Sequence, residues 1–111
     1  MKMIIHKHDI PELIGKFIIQ LTTIQEEVGR TILNEENWSF FKEKRISFVC
    51  RGENGRIELQ GFYYRHRAFE TDEEFMDYFN NYDTEGSRFH RLLTNKEIDF
   101  LCNKLKERNN L

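Results

Sequence analysis

Apolar positions along this chain follow two spacings, and the change from one to the other marks out the elements. From Asp9 onward, Ile10, Ile14, Phe17, Leu21, Ile24 and Val28 recur four and three residues apart, and Leu13 and Ile18 widen the stripe. That is a helical period. Asp9 as N-cap, Pro11 in the first turn and Glu12 at the third position form a helix start, so a long N-terminal helix is expected. Ending at Gly29 or Leu33, it would span ~30 to 36 Å.

Between Lys44 and Arg67 the spacing changes to alternation around Asn54-Gly55, the dipeptide preferred in two-residue type I′ turns. A hairpin closed there pairs Glu53 with Arg56, Arg51 with Glu58, Cys50 with Leu59, Phe48 with Gly61 and Ile46 with Tyr63. One face is then apolar. The other carries Arg45, Ser47, Val49, Arg51, Glu58, Gln60, Phe62 and Tyr64, with Arg51 and Glu58 as a cross-strand charge pair. Thr71 to Glu74 reads as a capping box opening a helix with Phe75, Tyr78, Phe79 and Tyr82 on one side, and Glu73, Glu74 and Asp77 on the other. Thr94 to Glu97 opens a second helix, with Ile98, Leu101, Cys102 and Leu105 as its core stripe. Lys2 to Lys7 is a candidate short strand, Asn34 to Lys42 a loop or short helix, and Ser87 to Leu93 a strand or a helical turn.

These elements predict an α+β fold, a small single domain over residues 1–111. It has a long N-terminal helix, a central antiparallel β-hairpin within a three- or four-stranded sheet, and C-terminal helices packed on one face. If both ambiguous segments are strands, the order is ferredoxin-like βαββαβ.

Composition narrows the function classes. With 111 residues and ten Phe, the chain can build a core without disulfides or metal. Cys50 and Cys102 fall on expected core faces, without CxxC or CxxH spacing, and are read as small hydrophobes. No apolar run reaches the ~18 residues of a membrane span, no signal peptide is evident, and a cytoplasmic location is expected. One Ala beside many Ile, Lys, Asn, Phe and Glu suggests an AT-rich genome, bacterial or phage. Glycine-rich phosphate loops and hydrolase or metalloprotease motifs are absent, and no cofactor is expected.

The net charge of −2 hides a strong asymmetry: Lys42 to Arg67 has seven Lys or Arg against three acids, whereas Ala68 to Glu85 has seven acids and no Lys or Arg. Part of that acidity belongs to capping, because anions are favoured at a helix N-terminus. The excess over that need makes Glu70, Asp72, Glu73, Glu74, Asp77, Tyr78 and Tyr82 a candidate partner-binding surface. Its expected partner is another protein with a basic surface, such as a nuclease toxin or a host defence protein, blocked as an inhibitor, immunity protein or antitoxin blocks its target. Two other readings stand beside it. Arg45, Arg51, Phe62, Tyr64, Arg65 and Arg67 form a basic, aromatic set suited to nucleic acid. His66 with Arg65, Arg67 and His90 supplies an acid-base group and cations, as a small metal-independent ribonuclease would need. His6 and His8 share one side if their segment is a strand, but two ligands do not make a metal site.

Overall fold

The computed structural model describes residues 3–22, 32–42, 45–61, 67–81 and 88–109. Five antiparallel strands form one sheet: β1 (Phe17–Thr22), β2 (Ile46–Arg51), β3 (Ile57–Gly61), β4 (Arg67–Ala68) and β5 (Arg88–Leu92), in the order β4-β3-β2-β1-β5. Among the described residues four α-helices accompany it: α1 (Ile10–Leu13), α2 (Trp38–Phe41), α3 (Asp72–Asn81) and α4 (Asn95–Asn109), with a 3-10 turn at Lys7–Asp9.

The long N-terminal helix is not there. After one turn of α1, Ile14 is extended and Gly15 takes φ of 87°. A side chain rarely adopts that backbone, and it ends the helix. The chain then enters β1, the strand between β2 and β5. It is buried on both faces, with Ile18 in one core and Ile19 and Leu21 in the other. A strand covered on both sides reads as a continuous apolar run, which its period cannot distinguish from a buried helix.

The hairpin is present in a register one residue away from expectation. Arg51 faces Ile57, Cys50 faces Glu58, Val49 faces Leu59 and Phe48 faces Gln60. Only Gly55 in the turn has positive φ, 81°, so Asn54 does not adopt the type I′ conformation. Instead Gly55 N–H donates to Gly52 C=O at 2.9 Å, and Gly52 N–H donates to Arg56 C=O at 2.8 Å. This is a three-residue loop with glycine at the left-handed position. The extra loop residue sets Val49, Ile57 and Leu59, each at most 2% exposed, on one face together. Gly55→Val should therefore lower stability by about 1–2 kcal/mol through backbone strain alone, since nothing lies within 4 Å of an added Cβ. Gly55→Asn should recover most of the loss, and a denaturant midpoint series checks both.

The sheet separates two cores, so the C-terminal helices do not share a face. Phe75 and Phe79 of α3 pack with Ile5, Ile10, Ile18, Val49 and Leu59. Leu101 of α4 packs with Ile19, Leu21, Phe41, Ile46 and Phe89 on the other side. Cys102 lies outside this stripe and is exposed, while Cys50 is half-buried. Ferredoxin-like order is not found either. Met3–His6 forms no strand, and its Ile5 backbone is held at both ends by the Asn80 amide, at 2.9 Å each. Ser87 to Leu93 resolves as β5 over Arg88–Leu92, paired with β1.

Candidate functional site

Folding brings the basic hairpin against the acidic helix. The N-terminus of α3 is capped by Thr71, whose hydroxyl accepts Glu74 N–H at 3.2 Å, while the Glu74 carboxylate accepts Glu70 N–H at 3.0 Å. Along this end the acids meet cations from elsewhere in the chain. Arg51 forks onto Asp72 with two bonds of 3.2 Å, Arg56 pairs with Glu70 at 3.0 Å, and Lys7 pairs with Glu73 at 2.9 Å. The hydrogen bond from Arg51 holds the Asp72 carboxyl below its ordinary range, and the bond from Lys7 does the same for Glu73. Lys7 is correspondingly raised by its hydrogen bond to Glu73. Much of the expected charge excess is thus answered within the chain.

The remaining acids face outward. Glu73, Glu74 and Asp77 are exposed, opposite the buried Phe75 and Phe79. Glu74 and Asp77 form no ion pair among the described residues. Tyr78 is half-buried and belongs to the fold, packed on Phe69 at 5.3 Å and on His90 at 4.7 Å between ring centroids. Tyr82 lies outside the described residues.

The described cations of the other two sets are engaged as well. Arg45 donates to the Gln20 side chain and lies 5.4 Å from the Phe40 ring centroid. Arg67 sits over Phe69 and Tyr78, 5.0 and 4.7 Å from their centroids. Phe62, Tyr64, Arg65 and His66 lie outside the described residues. His90 and Arg67 approach the same ring, Tyr78, but His90 is 1% exposed. Burial pushes its pKa down to about 4, against a smaller opposing effect of the bond to Phe79. Its Nδ1 lies 3.0 Å from Phe79 C=O and its Nε2 3.5 Å from Gln20 Nε2. That imidazole is a neutral, internally bonded group at neutral pH. His6 and His8 stack with centroids 5.6 Å apart, and His8 lies 3.5 Å from Asp9. Among the described residues no cluster of three His, Cys, Asp or Glu could hold a metal.

Comparison with known proteins finds no matching family model, curated protein or solved structure.

Three internal partners escaped sequence reasoning. Gln20 lies in an apolar strand, and its side chain links Arg45 to His90. A lone amide inside an apolar run was the available signal, because a buried amide must find partners. Glu97 was legible as a capping residue, and it is also the 1%-exposed partner of Arg91. Lys7 gave no signal, since its pairing with Glu73 exists only through the fold. A cavity of about 270 Å³ beside Phe17, Leu93 and Ile98 contains none of the expected site residues. No described helix is long and apolar enough to cross a membrane.

Proposed function

We propose that this chain is a protein-binding module of the inhibitor, immunity or antitoxin kind, and that the outer face of α3 recognises a basic surface on its partner. The observation that carries this reading is rigid display. Phe75 and Phe79, at most 1% exposed, anchor the helix from below while Glu73, Glu74 and Asp77 project into solvent. A helix already fixed by its core needs no backbone ordering on docking, and the charge of its carboxylates speeds encounter with a cationic surface. The Lys7–Glu73 pair does not block this use, because both side chains are more than half exposed. Such pairs are readily exchanged for a partner's cation.

The nucleic-acid reading has less support, since Arg45, Arg51 and Arg67 are all drawn into contacts with the protein itself.

The test is charge reversal at Glu74 and Asp77, which form no ion pair among the described residues. Glu74→Lys with Asp77→Lys should leave the cooperative unfolding transition in place, with a shift of about 1 kcal/mol for the lost Glu74 cap. Co-purification of the partner from cells that encode the chain should fall at least ten-fold. An intact fold with undiminished recovery of the same partner would overturn the reading.

A further inference from the structure

We propose that Phe69 and Tyr78 form a seat for an arginine side chain of the partner, and that Arg67 of this chain occupies that seat in the free protein. This deepens the reading of α3 as the recognition face and rests on it.

The geometry is a guanidinium over two rings. Arg67 Cζ lies 5.0 Å from the Phe69 centroid and 4.7 Å from the Tyr78 centroid, and the rings are themselves 5.3 Å apart and tilted by 53°. Arg67 is exposed, Tyr78 half-buried and Phe69 only 3% exposed. The guanidinium therefore covers aromatic surface from the solvent side. Its own backbone is at the edge of the sheet, in the two-residue strand β4, where the side chain can swing away without disturbing a core.

The rings are held firmly. Phe69 packs against Phe75 at 5.4 Å, and Tyr78 packs against His90 at 4.7 Å. Tyr78 is on α3, one residue after Asp77 and four after Glu74. A cation arriving at the acidic face thus finds a stacking surface beside the carboxylates. A planar guanidinium suits such a pair of rings better than a compact ammonium, because it stacks as well as carrying charge. The site would accordingly select arginine over lysine once Arg67 is displaced.

Arg67→Ala opens the seat by truncating an exposed side chain, leaving both rings in place. The probes are labelled hexa-arginine and hexa-lysine peptides, with binding measured by fluorescence anisotropy at low salt. Removing a positive charge should strengthen binding of both peptides, whereas removing an occupant should favour arginine alone. Arg67→Ala should therefore raise the preference for hexa-arginine over hexa-lysine about five- to ten-fold above wild type. Tyr78→Phe in the same background should keep the preference, since the ring remains. An equal gain for both peptides, abolished by Glu74→Lys with Asp77→Lys, would overturn the seat and leave the acidic recognition face standing. Failure of both the open variant and wild type to bind either peptide would overturn both.

Discussion

Replacing Glu97 with alanine should destabilise the protein by about 3 kcal/mol, because four donors lose the one carboxylate they share. The carboxylate is 1% exposed and completely used. Oε1 accepts Arg91 Nη1 at 2.7 Å and Thr94 N–H at 2.9 Å, and Oε2 accepts Arg91 Nη2 at 2.9 Å and Leu33 N–H at 2.7 Å. It therefore ties α4, strand β5 and the segment before α2 together. Burial pushes this carboxyl up, but the Arg91 hydrogen bond and the Thr94 and Leu33 amides outweigh it, and the net direction is down. Glu97→Gln should be nearly as damaging, because either orientation of the amide turns an N–H₂ group toward two donors. Arg91→Met with Glu97→Gln should be no worse than Glu97→Gln alone, since the guanidinium that faced the lost carboxylate is removed with it. Denaturant unfolding of the four proteins measures this, and a loss below about 1 kcal/mol for Glu97→Ala would refute the pairing as a structural centre.

Local signals in the sequence were legible wherever chemistry decides the outcome within a few residues. Thr71 and Thr94 cap their helices through the Glu74 and Glu97 amides. A turn does form at Asn54-Gly55. What could not be read was whatever depends on which surfaces meet. The spacing from Ile10 to Val28 matches a helix, but β1 is apolar without alternation because helices cover both faces of the sheet. Gly15 was the one residue in that pattern able to signal the break. The hairpin register followed the turn dipeptide and a plausible Arg51–Glu58 pair. In the fold, Arg51 finds Asp72 instead, and the alignment of Val49 with Leu59 sets the register.

The candidate site shows the same division. A basic hairpin followed by an acidic helix was plain from charge counting, and two opposite blocks in one short chain have each other as the nearest available partners. Arg51, Arg56 and Lys7 satisfy Asp72, Glu70 and Glu73. The outward set contracts toward Glu74 and Asp77, two residues whose place on the helix wheel, opposite Phe75 and Phe79, was visible from spacing alone. Lys7 could not be placed by spacing at all, because it reaches Glu73 only once the N-terminal turn has docked beside α3.

Stability should fall as pH drops from about 6.5 to 4, and His90 should be the cause. Arg45 can only donate, so Gln20 must present Oε1 to it and its Nε2 to His90. His90 Nε2 must then accept, which places the ring proton on Nδ1, donated to Phe79 C=O at 3.0 Å. Among the described contacts a second ring proton, on Nε2, would face the Gln20 N–H₂ group, a donor that Arg45 holds in that orientation from the oxygen side. The folded pKa is about 4, below the ordinary 6.5. Between those values the unfolded chain binds the additional proton, so the His90 contribution is fully present above 6.5 and is lost as pH falls toward 4. A shift of that size corresponds to about 3 kcal/mol. The Glu97 contribution disappears lower, as pH falls through the ordinary carboxylate value and below. A ring-proton NMR titration should show His90 neutral at pH 5, and His90→Leu, though less stable at pH 7, should flatten the stability curve between 6.5 and 4.5. Arg45→Met frees the Gln20 amide to turn its oxygen toward the ring, and should raise the His90 titration point. If His90 titrates near 6.5 in the wild-type protein, or if the slope survives in His90→Leu, the proton-excluding network is not what holds β5 against α3.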